Sequence, residues 1–264
     1  TELVTVVYGS GGGTSGASAP TSGALDEFTT RTRTNASGTL TNIATHPTIN
    51  VVEYISISGT CKQHDQTTDC PDTGDVRVAV DGTLQPELQA TVAGSWSISN
   101  VNKPATNSVI TVFIDGVLDE ADEAVAVTTY DGSGAIDGLA LIEQRLSIGN
   151  TDNRTVTNAN LGQYDNSVSG DEDIFHEVDG NNDLTMVETN KPLAELYIKA
   201  GNTYRPASDN TGNVTVNDFE IPSTAVFTAD ANTITITGDA SPFVVGGTFN
   251  ESTSTLKYTS ASTT

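Results

Sequence analysis

Carboxylates are the chemistry most available to this chain, which carries 34 Asp and Glu against 11 Lys and Arg for a formal charge of -23. Asp115, Asp119, Glu120, Asp122 and Glu123 crowd one short segment. Acids so close repel one another unless water or a cation separates them. Asp131 and Asp137 fall on the following turns and would join that cluster if they emerged at the same end. A second oxygen-rich run, Asp179-Gly-Asn181-Asn-Asp183, matches the first, third and fifth positions of a calcium loop. Leu184 and Asn190 stand where an EF-hand needs Gly and a bidentate Glu, so it is not that motif. It reads either as a simpler calcium site completed by Asp171, Glu172 or Asp173, or as a polar Asx-turn. The candidate ligands are therefore Asp115, Asp119, Asp122, Asp131, Asp137, Asp179, Asn181 and Asp183, and calcium is the one cofactor they suggest.

Cys61 and Cys70 are the only cysteines and close a short loop containing His64 and Asp65. An even pair at this spacing reads as a disulfide formed in an oxidising compartment. The alternative, a reduced pair binding metal with His64 and Asp65, matches none of the common zinc spacings. Nucleophile-elbow, zinc-protease, phosphate-loop and dinucleotide signatures do not occur, and His46, His64 and His176 are widely separated. We expect no enzyme, although paired carboxylates of a glycosidase would leave no motif. Tyr164, Tyr197 and Tyr204, with Trp96, are the residues that would form an aromatic platform for a glycan.

The elements that must position these groups are strands. The chain is rich in Thr, whose β-branched side chain suits a pleated, half-solvated sheet. Residues 50–58, 75–80, 88–92, 95–99, 108–114, 124–130 and 139–148 are strand candidates, punctuated by Asp-Gly pairs at 81–82, 115–116, 131–132 and 137–138. Seven strands so spaced predict an immunoglobulin-like sandwich over residues 51–149, with Trp96 as its core plug. Residues 150–264 form a second β-rich domain whose Thr-Ile-Thr-Ile-Thr alternation suits a second sandwich or a short β-solenoid. Residues 1–50 hold a Gly- and Ser-rich tether and edge segments, preceded by an apolar strand, Leu3, Val4, Val6 and Val7, that either folds back or pairs with a neighbouring copy. The strong negative charge disfavours nucleic acid and anionic membranes. No apolar run is long enough for a membrane span.

Ile57-Ser-Gly-Thr60, Val76-Arg-Val-Ala-Val-Asp-Gly82, Gly94-Ser-Trp-Ser-Ile98, Ile110-Thr-Val-Phe-Ile-Asp-Gly116 and Val127-Thr-Thr-Tyr-Asp-Gly132 resemble the bacterial immunoglobulin-like modules of large secreted surface proteins and adhesins. The later segments are similar to the repetitive β-stretches of such proteins. The insertion holding the cysteines departs from that family. The resemblance implies a secreted or cell-surface location and a non-enzymatic structural subunit or fragment of a filament, surface layer or adhesin stalk. Its partners would be copies of itself or neighbouring domains of a larger protein, joined through strand edges. The alternatives are a carbohydrate-binding or adhesive module and, third, a β-helix enzyme that degrades polysaccharides.

Overall fold

The computed structural model describes residues 31–32, 41–42, 53–71, 74–86, 88–90, 94–116, 120–186, 195–208, 211–239 and 241–259. The chain divides into two compact units, Thr1–Val51 and Val52–Thr264. In the first, β1 (Arg31–Thr32) pairs antiparallel with β2 (Thr41–Asn42). The expected assembly strand, Leu3, Val4, Val6 and Val7, lies outside the described residues.

The second unit begins as a two-layered β-structure. It runs through β3 (Tyr54–Lys62), β4 (Asp75–Val80), β5 (Thr83–Leu84), β6 (Gln89–Ala90), β7 (Ser95–Asn102), β8 (Val109–Asp115), β9 (Val125–Thr129) and β10 (Ile136–Ile142). One layer has the order β10-β3-β7, with β3 antiparallel to β7 and parallel to β10. The other holds β4, β8 and β9, with β5 and β6 on the edge of β4. Strand alternation sends Ile55, Ile57, Val76, Val78, Ile98, Ile110, Val112 and Ile114 into one shared core. Trp96 belongs to that core at 4% exposure. It lies across from Gly59, where an added Cβ would stand 2.6 Å from the indole and 2.1 Å from the Leu139 carbonyl oxygen. Only hydrogen fits there. The Asp81-Gly82 pair makes the β4–β5 turn with both residues at positive φ, 45° and 75°. Asp137-Gly138, expected as a turn, instead sits inside β10 at a register shift between Ile136 and Leu139. It bulges the strand rather than ending it. The turn comes later, at Glu143-Gln144, so the single strand expected over 139–148 is two.

Beyond that turn the chain winds into a solenoid. The first turn comprises β11 (Arg145–Ile148), β12 (Thr155–Val156), the short helices α1 (Asn158–Leu161) and α2 (Asn166–Ser169), β13 (His176–Val178) and β14 (Leu184–Met186). Three further turns follow: β15 (Glu195–Ile198), β16 (Thr203–Tyr204) and β17 (Val214–Val216); β18 (Asp218–Ile221), β19 (Val226–Thr228) and β20 (Thr233–Ile236); β21 (Phe243–Val245), β22 (Thr248–Asn250) and β23 (Thr255–Tyr258). Corresponding strands pair in parallel as three ladders: β11-β15-β18-β21, β12-β16-β19-β22 and β14-β17-β20-β23. Of the two architectures expected after residue 150, this is the solenoid.

Register stacks like on like inside it. Leu146, Leu196, Phe219 and Phe243 form one interior row, and Val156, Tyr204, Phe227 and Phe249 another. Phe227 stacks on Tyr204 at 5.5 Å and on Phe249 at 5.6 Å between ring centroids. Corners are held by buried amides. Asn202 accepts hydrogen bonds from the backbone of Asn150 and Arg154 and donates to the Asn150 carbonyl, and Asn232 donates to the carbonyls of Ala207 and Ala229. Such bonds satisfy backbone groups that tight bends leave unpaired.

The two parts share a sheet. β9 pairs in parallel with β11, so the ladder continues into the antiparallel strands as one nine-stranded sheet. In this sheet the change from antiparallel to parallel pairing therefore comes between β9 and β11, before residue 150 and within one compact unit. Both faces of β8 and β9 are buried: Ile110, Val112 and Ala126 face the sandwich core, Phe113, Val125 and Val127 the solenoid core. The α1–α2 excursion covers the latter face, with Tyr164 on Phe113 at 5.8 Å and Leu161, Ile174 and Phe175 buried in the same core.

Candidate functional site

Two carboxylate assemblies emerge from this frame. The first joins segments far apart in sequence. Asp115 ends β8, and Asp171 and Asp173 follow α2, which Asp165 starts by accepting from the Val168 N–H and Gly170 ends at φ 62°. Oxygens of Asp115, Asp171 and Asp173 lie within 4.8 Å of one another. Arg77 Nη1 donates to Asp115 Oδ2 at 2.5 Å, and the Gly116 N–H donates to Asp173 Oδ2 at 2.8 Å. One guanidinium faces three acids. Burial first, then the charges of Asp171 and Asp115, push Asp173 up to about 6, and burial and Asp115 raise Asp171 also. Three such oxygens could hold a hard cation of the calcium type.

The other expected ligands are elsewhere. Asp119 lies outside the described residues. Asp122, in a single 3-10 turn, acts on Glu143 by charge. Asp131 and Asp137 leave from the end of the β8–β9 hairpin opposite Asp115, because antiparallel pairing sets Val125 beside Phe113 and Thr129 beside Val109. They do not join the cluster. Asp131 accepts from the Ser133 N–H and hydroxyl, and Asp137 from the Ser58 hydroxyl. Asp179 and Asp183 likewise spend their oxygens locally. Asp179 accepts from the N–H groups of Asn181 and Asp183 and from the Asn181 amide, while Asp183 accepts from Asn213. This is the Asx-turn reading, closing the β13–β14 hairpin beside an open recess of about 540 Å³ lined by Asn181, Asn182, Asp183, Thr211 and Asn213. Nor do the aromatics assemble a platform. Trp96, Tyr164 and Tyr204 are buried, and the Tyr204 hydroxyl donates to Asn158 Oδ1.

The second assembly covers the outer face of the first ladder. Arg145, Glu195 and Asp218 stand in register on β11, β15 and β18. Arg145 Nε lies 2.8 Å from Glu195 Oε2, and Arg145 Nη1 donates to Glu220 Oε2 at 2.6 Å. The loop closed by the Cys61–Cys70 disulfide reaches over them. His64 is fixed there at three points: its N–H binds the Glu143 carboxylate, its Nε2 meets Glu195 Oε1 at 2.8 Å, and its carbonyl accepts from Arg145 Nη2. Gln66 adds a bond to Glu220. Glu143 is buried, Oε1 has no hydrogen-bond partner, and desolvation with the charges of Asp122 and Asp65 lifts it to about 7. Burial also raises Glu195 and Asp218. The arrangement can clamp two elements or hold protons near neutrality. Arg145, Glu195 and Glu143 escaped the sequence reading, although Arg-Leu-Ser-Ile148, Glu-Leu-Tyr-Ile198 and Asp-Phe-Glu-Ile221 repeat one pattern of charged, apolar, polar, apolar.

None of the protein-family models, curated proteins or solved structures compared with the chain matches it. Among the described residues, no helix is long and apolar enough to cross a membrane.

Proposed function

We propose that the chain is a non-enzymatic structural module of an extracellular surface assembly, an immunoglobulin-like sandwich from which a β-solenoid projects as a stiff spacer. The observation that carries this reading is the continuous sheet running from β4 through β9 into every turn of the solenoid, which leaves no hinge between the two parts. A load on one end is then shared by backbone hydrogen bonds along the whole ladder. The buried charges support the same reading, since His64, Arg145, Glu195 and Glu220 bind one another across the junction instead of lining a cleft. The disulfide suits an oxidising compartment, hence a secreted or cell-surface place.

A second reading, a polysaccharide-degrading solenoid, is favoured by Glu195 and Asp218, which neighbour each other in register on β15 and β18 with raised proton affinity. One assay separates them. Incubated with acidic and neutral polysaccharides, the protein should release no reducing ends beyond a heat-denatured control. Sustained turnover that disappears in Glu195→Gln would overturn the structural reading.

A further inference from the structure

Four Asn-X-Ser/Thr triplets occur in the chain, beginning at Asn35, Asn153, Asn213 and Asn250, and each is the acceptor pattern for an N-linked glycan. Asn35 lies outside the described residues. The fold treats the other three differently. Asn213 is consumed by the solenoid: its Nδ2 donates to Asp183 Oδ2 at 3.0 Å and its Oδ1 accepts from the Thr233 N–H at 2.8 Å. A sugar on that nitrogen would break a stitch that joins successive turns. Asn250 Nδ2 donates to the Thr228 hydroxyl at 3.2 Å.

Asn153 carries no such duty. It is exposed on the corner between β11 and β12, and among the described residues its amide has no hydrogen-bond partner. Other groups fix that corner. The Asp152 N–H donates to Asn150 Oδ1, the Arg154 N–H donates to Asn202 Oδ1, and the Arg154 guanidinium turns back to Thr129 and Asn107. Gly201, one turn on, leaves room for the side chain, since an added Cβ there would stand 2.2 Å from Asn153 Oδ1. Thr155 is exposed on β12, and its hydroxyl is likewise unbonded. The fold asks of residue 153 only a φ of 54°, which Gly also supplies, and of residue 155 only an outward strand position. The carboxamide and the hydroxyl that together make an acceptor are the groups the fold leaves unused.

We propose that Asn153 is an N-glycosylation site. The donor is a lipid-linked sugar diphosphate: Asn153 Nδ2 bonds to the anomeric carbon, the bond from that carbon to the phosphate oxygen breaks, the amide proton passes to a base of the transferase, and the lipid diphosphate leaves. The proposal goes beyond the structural reading but rests on its extracellular placement, because such transfer serves secreted chains.

Peptide mapping by mass spectrometry, on the chain purified from the cells that make it, tests this. The Asn153 peptide should carry a glycan on half or more of the molecules, and the Asn213 peptide none. In the same cells Asn153→Asp and Thr155→Val should lose the added mass, and Thr155→Ser should keep it. Shielded Trp96 fluorescence in each variant confirms that it is folded. A bare Asn153 in a secreted chain, a glycan on Asn213, or a modification that survives Thr155→Val would overturn the proposal while leaving the extracellular reading in place. A bare chain found only inside the cell would overturn both.

Discussion

Glu143 shows how a single residue couples the junction to pH. Its carboxyl is pushed up to about 7 from an ordinary 4.5, so between those values the folded chain keeps a proton that the unfolded chain has released. Its contribution is fully present below pH 4.5 and is lost as pH rises through 7. Glu143→Gln, which keeps the shape without the charge, should melt with the parent at pH 5 and several degrees above it at pH 8. A parent and variant that diverge at pH 5 instead would show that the carboxylate, not the acid, is the form the fold prefers. His176 works in the opposite direction. Fully buried and held down to about 4, it must remain neutral, and its contribution fades as pH falls from 6.5. Neither environment was legible from composition, because a His or Glu in a polar segment looks the same whether tertiary neighbours bury it or water does.

At the scale of elements, the interior rows carry the solenoid. Phe227 is flanked by an aromatic ring on the turn before and another on the turn after, and it also meets Phe219 edge-on at 4.8 Å. Phe227→Ala should cost about 3–5 kcal/mol in denaturant unfolding, since the rings above and below cannot close the gap. Thr235→Ala, on the outward face of β20, should stay within about 0.5 kcal/mol. Equal effects would mean that the rows are not the core. The alternation that makes these strands was visible in Thr-Ile-Thr-Ile, as was the sandwich alternation in Val-Arg-Val-Ala-Val. Their partners were not. Period-two alternation says which face of a strand is buried and nothing about whether its neighbour runs parallel, so a second sandwich and a solenoid read alike.

For the whole molecule, the shared sheet and the His64 clamp tie residues 53–259 together. Calorimetry should show one cooperative transition for this unit, with calorimetric and van't Hoff enthalpies in agreement. Two well-separated transitions would mean that the sandwich and the solenoid unfold independently. The pattern change near residue 150 suggested such independence, because antiparallel hairpins and long-period repeats differ in local sequence. In the shared sheet pairing turns parallel earlier, between β9 and β11, which are hydrogen-bonded to each other.

The amino-acid sequence by itself determined that this chain is all-β, that its two cysteines form a local loop, and that Trp96 and the alternating apolar residues are interior. These depend on side-chain type and on contacts a few residues away, which spacing encodes. Tertiary structure alone decided which acids meet. Asp115 finds Asp171 and Asp173, and Arg145 finds Glu195 and Glu220, because a solenoid turn of variable length sets the register, and a shift of one residue would send each charge to the other face of its strand.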